Sequence, residues 1–203
     1  SGKDKKGRWV WATITGSKEN TTIITCYRPC EDTVDTAGES SQWMQLYNRQ
    51  LQELDASNAA ADEYNNVDTR DIMNRDLDGF IAGEQDKGHR IILLGDMNQD
   101  LSSRQRTKLT FGELCKRRKL YSALYAHEES LRPSHKRRKR VIDHIVLGSI
   151  HADAIIQSGQ LPHGVGFANS DHRGVYLDLD SRPGLDVAAE DLATGRTRKL
   201  VSK

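Results

Sequence analysis

The chain has 203 residues, a net charge of +1, 36% hydrophobic residues and a mean hydropathy of −0.70. That is enough for one domain with a real core, and no apolar run approaches the about 18–20 residues needed to span a bilayer. Cys26, Cys30 and Cys115 are an odd number without metal-ligand spacing, which argues against a disulfide framework or zinc site and for a reducing, intracellular compartment, the nucleus included.

The small total hides a segregation. Residues 31 to 86 hold fourteen Asp/Glu against three Lys/Arg, and residues 104 to 140 hold thirteen Lys/Arg against three Asp/Glu. Such blocks either fold against each other or set a basic flank beside a polyanion. Binding nucleic acid by bulk charge alone does not fit a near-neutral chain. Ser1-Gly2-Lys3-Asp4 is neither an initiator start nor a signal peptide, so a fragment or processed product is expected.

In chain order, Trp9 to Ile14 and Thr21 to Tyr27 are β-branched and aromatic runs separated by Gly16, Ser17 and Asn20, and predict a hairpin. Trp9 and Trp11 share a face and read as core rather than base-stacking platforms. Pro29 ends the second strand. Trp43, Tyr47, Leu51 and Leu54 recur at helical spacing and predict a helix over 40–57, followed by a loop over 55–66. A second helix is predicted from Thr69, with Ile72, Met73, Leu77, Phe80 and Ile81 inward and Gly83 as its stop. Ile91-Ile92-Leu93-Leu94 then suits a strand covered on both faces, ending in the turn Gly95-Asp96-Met97-Asn98.

Beyond that turn, Arg104, Arg106 and Lys108 stand close enough in sequence to meet phosphates, and Thr110 to Glu113 has capping-box spacing. Arg132 and Lys136 to Arg140 place six basic residues in nine positions just ahead of Ile142-Asp143-His144-Ile145. A charge run is usually solvated, but a loop entering such a strand hangs near any substrate. Ser170-Asp171-His172 precedes the last apolar run, Val175 to Leu179, and residues 181 to 203 read as a linker or disordered tail. A carboxylate inside an apolar strand, such as Asp143, needs a partner, for which a histidine is suited. Helix-then-strand alternation favours a layered α/β domain over residues 1–180.

The GD-x-N turn at Gly95, the ID-x-I strand at Ile142, the SDH at Ser170 and the Tyr27-Arg28-Pro29 motif, in this order, resemble the endonuclease/exonuclease/phosphatase superfamily with its deoxyribonuclease I-like fold. The resemblance implies a four-layer α/β/β/α sandwich. It covers residues 9 to 179 and only the later part of that fold. The family's early strand with an Asn and the next with a metal-binding Glu have no counterpart, so an N-terminally truncated domain is expected. The form Gly95-Asp96-Met97-Asn98-Gln99 and Tyr27-Arg28-Pro29-Cys30 look most like endonuclease regions encoded with reverse transcriptases in retroelements. Inositol polyphosphate phosphatases differ at Leu94, Gln99 and Val141.

Phosphodiester hydrolysis needs a positioned water and neutralisation of the phosphoryl oxygens, which carboxylates with a divalent metal supply. Hard oxygen ligands suit Mg²⁺ or Mn²⁺. By resemblance, Asp96, Asn98, Asp143, His172 and Tyr27 are catalytic and Asp171 and Asp96 hold the metal. Asp96 would orient or deprotonate the water, Asn98 would bond a phosphate oxygen or fix Asp96, and Asp143 would accept from His172. Arg28, Asn98, His172, Arg104 and Arg140 are the candidate phosphate contacts. His144 reads as structural, and His89, His127, His135, His151 and His163 have no comparable context. The expected activity is DNA nicking by a metal-dependent endonuclease whose partners are DNA and other domains of a longer polyprotein. Its rivals are a non-catalytic nucleic-acid or protein-binding module and a phosphomonoesterase acting on a small molecule.

Overall fold

The computed structural model describes residues 1–31, 36–57, 60, 67–105, 108–126, 131–137, 139–165 and 170–187. A short strand Gly2–Lys3 (β1) flanks the predicted hairpin of Trp9–Ile14 (β2) and Thr21–Tyr27 (β3), which is in register from Trp9↔Cys26 to Ile14↔Thr21. Trp9 and Trp11 share a face because strand side chains alternate. Both pack against Phe80, the core role expected of them.

The first helix, Gln42–Ser57 (α1), buries Trp43, Leu46 and Gln50, so its inner stripe is offset from the expected one; Tyr47 instead stacks on Trp43. The loop expected over 55–66 starts inside this helix, and 58, 59 and 61–66 lie outside the described residues. The second helix, Thr69–Asp86 (α2), is capped by the Asp68 side chain, which accepts from the N–H groups of Arg70 and Asp71. It runs through Gly83, contrary to the predicted stop. Gly83 faces open space, while Glu84 is buried and bonded to Thr22 and His89, anchoring one more turn. The chain turns instead at Gly88, whose φ of +78° is one that glycine adopts without strain.

Arg90–Asp96 (β4) lies parallel to β3. Phe111–Arg117 (α3) starts in the predicted capping box of Thr110 and Glu113. Leu120–Ser122 (β5) and Asp143–Gly148 (β6) complete a six-stranded sheet in the order β1-β2-β3-β4-β6-β5. Ile155–Gln160 (β7) and Val175–Leu179 (β8) form a second, two-stranded sheet. The apolar run of β4 serves both faces: Ile91 and Leu93 pack with Met73, Leu77 and Ile81 of α2 and Phe111 and Leu114 of α3. Ile92 and Leu94 pack with Ile155, Val175 and Leu177 of the small sheet. Four such side chains supply on the order of 6–12 kcal/mol of transfer free energy before conformational entropy is subtracted.

This is the layered α/β sandwich expected from the sequence. After β8 the chain forms the short helix Ser181–Leu185 (α4), whose Leu185 joins the inter-sheet core. The predicted tail therefore opens as structure. Asp186 accepts from Ser17, Lys18 and Glu19 at the hairpin turn, and residues 188–203 lie outside the described ones. The opposite charge blocks do fold against each other in part. Asp78 binds Arg117 and Arg118, and Asp68 binds Lys108.

Candidate active site

Sheet register creates the site. Tyr27, Asp96 and Asp143 are ladder partners at the same end of β3, β4 and β6, so residues far apart in sequence form one row. Getting β4 that close to β3 requires Gly95. Its φ is +142°, and a Cβ there would lie 1.8 Å from the Cys26 carbonyl oxygen. The Met97 side chain anchors the turn in the core, and its N–H donates to the Ile142 carbonyl at 2.8 Å.

His172, from the segment before β8, closes over this row. Its Nδ1 bonds Asp143 Oδ2 at 2.9 Å, while Nε2 faces Asp96 Oδ2 at 3.9 Å and Asp171 Oδ1 at 4.0 Å. Asn98, at φ +45°, donates its backbone N–H to Asp96 Oδ1 at 2.8 Å and its amide Nδ2 to the Arg28 carbonyl at 2.7 Å. It therefore aims Asp96 through the main chain while its own side chain is tied to the turn.

Electrostatics follow from this geometry. Burial, reinforced by the Asp143 charge, raises the pKa of Asp96 and makes it a better proton acceptor. For His172, burial opposes the cation, but the bond to Asp143 and the charges of Asp143, Asp96 and Asp171 outweigh it and raise the imidazole pKa. For Asp171, burial likewise opposes ionisation, yet its backbone N–H and the adjacent histidines hold the carboxyl below its ordinary range. Tyr27 is 43% exposed, and burial, then Cys30 and Asp96, push its phenol up.

Among the described residues, two groups have the composition to hold a metal ion: Asp96, Asp143 and His172, and His135, Asp171 and His172. The two carboxylates expected as ligands thus fall in different groups, joined by His172. Asp143 and the His172 Nδ1 occupy one another, and Asp96 Oδ1 is taken by Asn98. Asp96 Oδ2 and Asp171 Oδ1 remain turned toward His172 Nε2. Each group combines hard carboxylate oxygens with an imidazole and has the donors for a divalent metal, but the Asp96 and Asp171 oxygens do not fall within one group.

Not every expected residue is at the site. Arg28 is 3% exposed, and its guanidinium donates to Asn74 Oδ1 and the Met97 carbonyl, so it braces the turn from inside rather than reaching a phosphate. Burial, then the Arg70 charge, pull its pKa down to about 9. Lys108 is spent on Asp68, and Arg106 lies outside the described residues. Arg104 and Arg140 line one open groove of about 640 Å³ together with Asn98, Arg70 and Lys139. His144 is buried and bonded to the Gln99 carbonyl, the structural role expected for it.

Two residues went unseen in the sequence. Ser134 accepts with its hydroxyl from the N–H groups of Ile142 and Asp143, and His135 bonds Asp171 and stands edge-on to His172. Both sit in a run whose charge masked them; the Pro-Ser-His string before the lysines was the only available signal.

No protein-family model matches the sequence, and a search of curated proteins finds no match. Among solved structures, the chain is similar to the 3′-5′ exonuclease NExo from Neisseria meningitidis, with a TM-score of 0.54 and 16% identity. It is similarly close to a Neisseria 3′ phosphatase NExo variant bound to product DNA hairpin, again with a TM-score of 0.54 and 16% identity. In each case 87% of this chain is covered, and the chain spans 66% of the length of the other protein. The fold is that of the deoxyribonuclease I-like endonuclease/exonuclease/phosphatase proteins.

Proposed function

We propose that this chain carries the hydrolytic centre of a metal-dependent phosphodiesterase that nicks DNA. The observation that carries the reading is the meeting of Asp96, Asp143 and the Asp171/His172 pair at one sheet end, with His172 between the three carboxylates. The likeness to a protein bound to product DNA supports a nucleic-acid substrate. So does the groove with Arg104, Lys139 and Arg140, since a polymer needs contacts on phosphates away from the scissile bond. The motif forms at Gly95 and Tyr27 support placing the domain in a retroelement-type polyprotein, with residues 1–180 as its hydrolytic part.

Asp96, oriented by the Asn98 N–H and with its pKa raised, takes the proton of the attacking water. His172, its pKa raised against burial by the bond to Asp143, would place an N–H and, when protonated, positive charge on the phosphoryl oxygens as negative charge builds there. Tyr27, in register with Asp96, donates to the same group. Asp96 and Asp171 would hold Mg²⁺ or Mn²⁺, which supplies further charge neutralisation when bound.

The test is relaxation of supercoiled plasmid. Open circles are expected with Mg²⁺ or Mn²⁺ and none with chelator, and His172→Ala should slow nicking about 10²-fold or more. Absence of nicking with either metal would refute the reading. A second reading, removal of a phosphate from a DNA 3′ end, is favoured by the likeness to a 3′ phosphatase. A 3′-phosphorylated oligonucleotide releasing phosphate without chain cleavage would select it.

A further inference from the structure

The loop leading into β6 is tied to both halves of the site. Ser134, fully buried, accepts with its hydroxyl from Ile142 N–H at 2.9 Å and Asp143 N–H at 3.1 Å. Its carbonyl accepts from Arg173 N–H at 2.7 Å, and the Asp171 carbonyl accepts from Lys136 N–H at 2.9 Å. His135 and His172 are thereby paired as an isolated antiparallel bridge.

The tautomer of His135 follows from its bonds. The Arg137 backbone N–H donates to Nδ1 at 3.0 Å, so Nδ1 is an acceptor and the ring proton sits on Nε2. Nε2, 3.0 Å from Asp171 Oδ2, therefore donates to that oxygen and leaves Oδ1 facing His172 Nε2. A protonated Nε2 has no lone pair for a metal. The Asp171 side chain is 59% exposed, so without this bond it would sample several rotamers. The ring edge meanwhile rests on His172, with centroids 4.7 Å apart and planes at 87°.

We propose that His135 is a positioning residue: its Nε2–H holds one oxygen of Asp171 so that the other is presented to the divalent cation, and its ring fixes the plane of His172. This rests on the metal-dependent hydrolase reading above. It is the same kind of outer contact that tunes ligands elsewhere, where loss weakens metal binding roughly 10–100-fold.

Two measurements on the full chain test it. Long-range proton–nitrogen NMR of the imidazoles should show His135 with bare Nδ1 and protonated Nε2; the opposite tautomer overturns the proposal whatever the activity. Mn²⁺ binding, read from the resonance of free ion, should weaken about 10-fold or more in His135→Phe, which keeps the ring contact but not the N–H. His135→Gln, whose amide reaches the same oxygen, should restore most of it. An unchanged affinity in His135→Phe, or equal losses in both variants accompanied by a large drop in Tm, overturns the role. If Mn²⁺ affinities follow the expected order but plasmid is never nicked, the hydrolase reading fails and His135 keeps its role. If plasmid is nicked and the affinities do not change, the reverse holds.

Discussion

His172 and Asp143 bond at 2.9 Å although they lie 29 positions apart, because Asp143 opens strand β6 and His172 sits on the segment folded over it. Against the effect of burial, the bond to Asp143, and after it the Asp143 charge, raise the imidazole pKa. Asp143→Asn preserves size and an acceptor while removing that charge. Expected is a fall in kcat of about 10²–10³-fold with a much smaller change in KM, since the interaction strengthens only as phosphoryl charge develops. Steady-state nicking rates check it, and a change confined to KM would contradict the assignment.

Gly95 is where fold and site share one backbone atom. Any Cβ there meets the Cys26 carbonyl at 1.8 Å, so β3 and β4 must separate. Gly95→Ala should destabilise the chain by about 3 kcal/mol or more, through steric overlap and an unfavourable φ together. A urea midpoint equal to that of the wild type would show that the strands part without penalty.

Arg28 marks the difference between proximity and contact. Its motif neighbour Tyr27 faces the site, but alternation along the strand sends Arg28 inward to Asn74 and Met97. Arg28→Met should lower stability by about 2–4 kcal/mol, because Asn74 Oδ1 and the Met97 carbonyl lose their partner in a dry setting. The DNA KM of whatever fraction folds should be nearly unchanged; a selective rise in KM would return Arg28 to the phosphate.

Much of this arrangement was legible because short apolar runs announced β3, β4 and β6, with a polar residue at the end of β3 and β4 and at the start of β6. What the runs could not reveal was lateral order. That β6, not β5, neighbours β4 is decided by packing of Ile145 and Leu147 against Ile92 and the small sheet, contacts no local pattern encodes. Gly83 misled because glycine ends helices only when nothing beyond it is anchored, and buried Glu84 is. His135 was invisible for a related reason: its value lies in a partner, Asp171, 36 positions away.

The groove beside the Asn98 turn carries Arg104, Lys139 and Arg140. If these meet phosphates flanking the cut, each released counterion adds to the salt dependence of binding. Replacing all three by Ala should flatten the slope of log K against log salt by about 2–3 and weaken binding alike for unrelated sequences. Fluorescence anisotropy with a duplex across a salt series checks this. An unchanged slope would leave the groove without a nucleic-acid role.

At the far end of β3, the Glu84 carboxylate gathers Thr22 Oγ1 at 2.8 Å, His89 Nδ1 at 2.9 Å and Lys87 Nζ at 2.6 Å. Burial works against its charge, but these bonds outweigh it and bring the pKa from 4.5 to about 2. A carboxyl with a depressed folded pKa binds its proton more readily in the unfolded chain. Its stabilisation is therefore complete above the ordinary value of 4.5 and is lost as pH falls toward about 2. The contribution at neutral pH is on the order of 2 kcal/mol, allowing for screening at the helix end. Glu84→Gln should lower the neutral-pH stability by about that amount and flatten its decline within the same acidic window. Urea unfolding at a series of pH values measures both effects, and parallel curves for the two proteins would mean that the carboxylate titrates alike folded and unfolded.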